Sequence, residues 1–171
     1  ATRFVGRAAD ATAYIAGDGV TLRLPGRERA VRLRFVGGDA GAETVADGRQ
    51  PTAVHYLRGR DPSCWITDVP AFDRVRACGV YPGVDVVYHG PERRFRFDVV
   101  VAPGADPSVA RISVDGADGV TRGPDGALDV LLGAEVLRLA APVAYQEHHG
   151  ERVHVDVSFA LAADGVVTFR V

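Results

Sequence analysis

The sequence predicts an all-β fold, a two-sheet antiparallel β-sandwich or a partly open barrel of about a dozen short strands. Two observations predict it. Apolar residues recur at every second position in segment after segment, which buries one face of a strand and wets the other. The 20 Gly and 10 Pro fall at short intervals, so few windows could hold three uninterrupted helical turns. No fixed-period repeat accompanies the alternation, which argues against a propeller or solenoid within these residues.

The elements follow in order. Thr12 to Ala16, Val20 to Leu24 and Ala30 to Val36 read as strands separated by Gly-Asp-Gly and Pro-Gly-Arg-Glu turns. Residues 37–50, polar and Gly-rich, read as a mobile surface loop. Tyr81-Pro82-Gly83 reads as a turn, with Pro82 fixing φ and Gly83 free to take a positive φ. Val84 to His89 and Arg94 to Val101 should pair as a hairpin near a sheet centre through Gly90-Pro91-Glu92, with Val86 and Phe97 buried. Asp106-Pro107-Ser108-Val109-Ala110 predicts one short helical turn, with Asp106 as cap and Pro107 at the first position. Gly123-Pro124-Asp125-Gly126 turns the chain into a strand with Leu128, Val130 and Leu132 inward. His148-His149-Gly150 makes a hairpin tip. The alternation from Val153 to Phe159 then leads through Ala163-Asp164-Gly165 to Val167, Phe169 and Val171.

At 171 residues the chain is expected to form a single domain spanning 1–171. Its net charge of −2 argues against phosphate-backbone binding, so no nucleic-acid partner is expected. All 20 basic residues are Arg, a bias that a GC-rich genome explains, although Arg also suits bidentate contacts with carboxylates or phosphates. No apolar run approaches the ~20 residues that span a bilayer. The sequence holds no Met, begins ATRFVG and ends on a strand-like VVTFRV, the marks of a piece excised from a longer protein.

Cys64 and Cys78 are the two cysteines, with thirteen residues between them. That is no zinc spacing, and no set of soft ligands lies nearby. They are either a disulfide, worth roughly 3 kcal/mol and implying an oxidising compartment, or two unpaired buried thiols; the disulfide is the favoured expectation.

Candidate chemistry is sparse. Asp85, His89 and Asp98 fall on the polar faces of neighbouring strands, where paired carboxylates could do general acid/base work, or could equally form cross-strand ion pairs with Arg94 and Arg96. No serine lies in a nucleophile elbow, and no Gly-rich loop opens a helix. His148, His149 and His154 could form a two-histidine site with Glu147 or Asp156, but read as solvated turn residues, so neither metal nor cofactor is expected. Among the aromatics, Trp65, Tyr81 and Tyr88 are either binding platforms or core fillers.

The frame Tyr56-Leu57-Arg58-Gly59-Arg60-Asp61-Pro62-Ser63-Cys64-Trp65 carries a likeness, continued by Thr67-Asp68-Val69-Pro70, Arg74-Val75-Arg76 and Val80 to Tyr88. It runs on through Phe97 to Pro107 and closes on Pro142-Val143-Ala144-Tyr145-Gln146. It resembles an uncharacterised bacterial domain near the N-terminus of large secreted proteins with SBBP β-propeller repeats, over about Phe4 to the C-terminus. The resemblance implies an all-β extracytoplasmic module with no established activity and no catalytic residues to carry over. His89 stands where that family more often has a second Tyr. Cys64 and Cys78 lie outside its frame, and their joint occurrence adds to the disulfide reading.

The expected function is therefore a non-catalytic structural or interaction module of a secreted or surface-anchored bacterial protein. Its partners would be other domains of the same polypeptide, or protein or polysaccharide at the cell surface. The alternatives are a carbohydrate-binding module using Trp65, Tyr81 or Tyr88, and a hydrolase subdomain using Asp85, Asp98 and His89.

Overall fold

The computed structural model describes residues 4–7, 11–26, 29–89 and 95–171. Their strands are β1 (Phe4–Arg7), β2 (Thr12–Ala16), β3 (Gly19–Arg23), β4 (Ala30–Phe35), β5 (Glu43–Tyr56), β6 (Ile66–Tyr81), β7 (Val84–His89) and β8 (Phe97–Val101). They continue as β9 (Arg111–Asp115), β10 (Gly119–Arg122), β11 (Leu128–Leu132), β12 (Glu135–Leu139), β13 (Ala144–His148), β14 (Glu151–Val155), β15 (Ser158–Leu161) and β16 (Val167–Arg170). Two single 3-10 turns, Pro62–Cys64 and Pro107–Val109, are the helical elements among the described residues. In each, an Asp one residue ahead accepts from the backbone N–H two residues on, Asp61 from Ser63 and Asp106 from Ser108.

The fold is all-β and sandwich-like, and among the described residues no sheet closes into a barrel. A seven-stranded sheet runs β1-β2-β3-β4-β9-β16-β15 and a four-stranded sheet β5-β6-β7-β8, with smaller sheets β10-β11-β12 and β13-β14. Every pairing is antiparallel. The chain leaves the large sheet after β4, builds the four-stranded sheet, and returns as β9 beside β4, with Phe35 opposite Ile112.

Alternation explains the core. Ala13, Ile15, Val20, Leu22, Val31, Leu33 and Phe35 line the inner face of the large sheet, and Val75, Ala77, Val84, Val86 and Tyr88 answer from the smaller one. Leu128 and Val130 of β11 join the same cluster. Each of the Val, Leu, Ile and Phe side chains among them contributes about 1.5–3 kcal/mol by leaving water. Across the sheets the Phe35 ring meets Tyr81 and Phe97 edge-on, at centroid distances of 6.4 and 6.1 Å. Edge-to-face contacts of this kind suit the ring quadrupoles.

Three expectations change. Within 37–50, residues from Glu43 onward are strand, paired Glu43 to Cys78 and Asp47 to Arg74. The inward positions, Thr44 and Ala46, are small, so the alternation there looks polar. The β7–β8 hairpin has the expected antiparallel register, with Val86 opposite Val99 and Tyr88 opposite Phe97. Val86 is buried and Phe97 half-buried, but β8 is an edge strand and not central. Its expected turn, and Arg94, lie outside the described residues. Finally, the run Val153 to Phe159 breaks in two: Val153 and Val155 pair with β13, and Phe159 turns into the large sheet.

Candidate functional site

The outer face of the four-stranded sheet gathers the residues singled out for acid/base chemistry. His89 Nε2 lies 2.8 Å from Asp98 Oδ2. Arg96 Nη2 lies 3.2 Å from His89 Nδ1. A guanidinium can only donate, so Nδ1 accepts and Nε2 keeps the proton it donates to Asp98. Asp85 stands apart from this pair. Its register partner is Val100, and Asp98 sits opposite Val87. Arg76 Nη1 donates to Asp85 at 3.0 Å and the Gly79 backbone N–H at 2.7 Å. Asp85 thus faces Arg76, and Asp98 faces the Nε2–H of His89 with Arg96 Nε 3.9 Å away. The arrangement orders a cross-strand surface, continued by Arg74 to Asp47 at 2.7 Å.

Aromatic residues part company. Tyr88 is 1% exposed, its ring set among Phe95 and Phe97 at 6.3 and 6.4 Å. Tyr81 is also buried, and its hydroxyl sits 3.0 Å from the Val36 carbonyl and 3.3 Å from that of Arg111, tying β6 to the large sheet. Burial pushes the Tyr81 hydroxyl above its ordinary pKa. Neither ring is open to stack on a sugar. Trp65 is 37% exposed, with its indole N–H donating to the Gly59 carbonyl at 3.2 Å. Tyr145, another of the clustered aromatics in the sequence, is exposed with Arg152 stacked over it at 4.4 Å. Its place on a two-stranded hairpin depends on sheet membership that local pattern does not carry.

The cysteines correct the expected disulfide: Cys64 and Cys78 are both free thiols. Cys64 ends the 3-10 turn before β6, and Cys78 lies near the far end of that strand. At ~3.3 Å per residue the strand carries them roughly 40 Å apart, far beyond disulfide reach. Reductant is therefore expected to leave the thermal midpoint unchanged, and both thiols should react with a thiol reagent once the chain is denatured. A midpoint that drops on reduction would contradict the placement of these strands.

The histidine tip is as expected. His149 and Gly150 turn β13 into β14 with φ of 51° and 83°, the left-handed pair that a tight hairpin uses. His154 faces Tyr145 across the hairpin, four positions from the tip, and its Nδ1 lies 3.8 Å from Asp156. Among the described residues no three His, Cys, Asp or Glu side chains gather for a metal.

The profile of a domain of unknown function, DUF7948, matches residues 5–171. The chain belongs to the DUF7948 family. No curated protein matches it, and no solved structure does. No helix among the described residues of this DUF7948 domain is long and apolar enough to cross a membrane.

Two hairpins of the domain leave the sandwich. β5 and β6 run 14 and 16 residues, and beyond Pro51 and Pro70 nearly all their residues are exposed. At the bulge where this arm begins is an open cavity of about 340 Å³, lined by Arg49, Gln50, Pro51, Thr52, Asp68 and Pro70 among others. Further out the arm exposes Val54, Leu57, Trp65 and Ile66. The β13–β14 hairpin pairs with no other described strand and exposes Tyr145 and Val153, with Val143 just before it.

Proposed function

We propose that this DUF7948 domain is a non-catalytic structural and interaction module of a bacterial secreted or surface protein. It would work outside the cell through contacts with neighbouring domains or with protein at the surface. The observation that carries the proposal is the β5–β6 arm, whose outer half leaves the core and places large apolar side chains in solvent. Large apolar groups exposed together mark interaction surfaces more often than chance. The engagement of Asp85 by Arg76 and Gly79, and of Asp98 by His89, supports the non-catalytic part. The resemblance to domains preceding SBBP repeats supports the extracellular part.

The purified chain is expected to show no turnover on ester, peptide and glycoside substrates. Asp98→Asn should change only stability, by less than ~1 kcal/mol for a half-exposed carboxylate. A hydrolytic activity that Asp98→Asn abolishes would sink this reading. Binding to a polysaccharide that Trp65→Ala removes would replace it with the sugar-binding one, for which Trp65 is the residue whose ring stays accessible.

A further inference from the structure

We infer that the outer face of the seven-stranded sheet binds a linear acidic polysaccharide along a diagonal row of arginines. The inference deepens the interaction-module reading, on a face other than the arm. The alternation that sends Leu22, Leu33, Ile112 and Val167 into the core turns every second residue of the same strands outward. Those outward residues include Arg23 on β3, Arg32 and Arg34 on β4, Arg111 on β9 and Arg170 on β16. Register lines them up. Arg32 is opposite Thr21, two residues from Arg23; Arg34 is opposite Ser113, two from Arg111; Arg111 is opposite Thr168, two from Arg170. Diagonal neighbours of this kind lie about 7–8 Å apart. Five cations therefore cross four strands in a row of roughly 30 Å.

Like charges set side by side destabilise a sheet, and Arg-rich composition alone does not explain the row. On the outer face of the four-stranded sheet, Arg74, Arg76 and Arg96 each have a carboxylate within reach, of Asp47, Asp85 and Asp98. The seven strands of the large sheet hold one acidic residue, Asp115, which lies 3.6 Å from Arg34. Asp18 and Asp164 reach in from turns to Arg32 and Arg111, at 3.0 and 3.7 Å. Asp156, two residues before β15, lies 3.8 Å from His154 instead. Arg23 and Arg170, the two ends of the row, have no ion pair among the described residues. A guanidinium fork grips carboxylate or sulfate with two donors at once, and the hydroxyls of Thr12 and Thr21 beside Arg23 suit those of a sugar. A flat sheet face enters no duplex groove, and its one outward ring, Tyr14, is half-buried, so the stacking platforms of a nucleic-acid binder are missing.

Calorimetric titration of the purified chain with polygalacturonate oligomers tests this, with dextran as the neutral control and duplex DNA as the rival polyanion. Polygalacturonate should bind, more weakly as salt rises, and dextran should not. Arg23→Gln with Arg170→Gln should weaken binding about three- to tenfold, the worth of two exposed ion pairs. Arg58→Gln with Arg60→Gln removes the same charge from the arm and should leave the affinity unchanged. All four side chains are exposed, so far-UV circular dichroism should show both variants folded. A chain that does not bind polygalacturonate at low salt overturns the inference. So do equal losses from the two double variants, which mark net charge alone, and so does binding of dextran as tight or of duplex DNA tighter. Binding that Trp65→Ala removes and the Arg23 and Arg170 substitutions spare would move the sugar to the arm, and overturns it too. None of those results touches the non-catalytic reading, which the turnover assay decides separately.

Discussion

Tyr88→Ala is expected to destabilise the domain by about 3–5 kcal/mol, the range for emptying an aromatic site in a packed core. The ring is 1% exposed on the inner face of β7, opposite Phe97, and touches Phe95 and Phe97. Truncation therefore opens a cavity that three strands' worth of hydrogen-bonded ladder cannot collapse to fill. Tyr88→Phe should do the reverse of what loss of a hydrogen bond suggests. The Tyr88 hydroxyl is buried and has no hydrogen-bond partner among the described residues. Removing it relieves a desolvation penalty, so the variant should be neutral or more stable by up to ~1–2 kcal/mol.

Alkaline pH offers an independent reading of the same group. Burial first, and the negative charge of Asp18 second, push the Tyr88 hydroxyl well above its ordinary pKa of 10.0. The folded state then holds its proton where the unfolded chain has released it. Stability is full below about pH 10 and falls as pH rises above it. Tyr81 contributes in the same direction through its own burial. Urea midpoints taken across this range should fall less steeply for Tyr88→Phe than for the wild type. An equally steep fall would mean that water reaches the hydroxyl, and a Phe variant as damaged as the Ala one would mean that it has a partner.

What the sequence discloses here depends on how local the cause is. β2, β4 and the turn at Pro107 are legible to within a residue, because alternation, Gly-Asp pairs and an Asp-Pro cap act over a few positions. The contact of His89 with Asp98 is legible too, since it needs only two polar faces and one hairpin register. The arm is not. Pro51 and Pro70 punctuate β5 and β6, and prolines ordinarily end strands; here they sit around a bulge that tolerates a missing donor. The cysteines mislead for a related reason. Thirteen intervening residues close a loop if the chain turns, and hold two thiols apart if it runs straight as β6 does. Tyr81 and Tyr88 are aromatic in either a core or a binding face, and only the second sheet packing over them decides which.

Gly83→Ala is the second substitution expected to cost dearly, about 2–5 kcal/mol from two sources. Gly83 occupies the Pro82-Gly83 turn between β6 and β7 at φ 72°, where a Cβ crowds the backbone and costs roughly 1–2 kcal/mol. That Cβ would also fall 2.7 Å from the Cβ of Ala105, closer than carbon atoms approach without something moving. Moving is difficult: the Gly83 carbonyl accepts from the Ala102 N–H at 2.8 Å, and Ala105 donates back to Ala102 at 3.0 Å, so the segment after β8 is clamped onto this turn. Overpacking of this kind adds about 1–3 kcal/mol. Gly165→Ala separates the two terms. Gly165 lies in the β15–β16 turn at φ 79° with nothing within 4 Å of the Cβ it would gain, so its cost should be the backbone term alone. Chemical denaturation of both variants measures the difference as the clash at Ala105. Replacing Ala105 by glycine in the Gly83→Ala background should recover most of the clash, since the atom in the way is then gone. Equal losses at Gly83 and Gly165, with no recovery from Ala105→Gly, would show that the segment following β8 does not press on this turn.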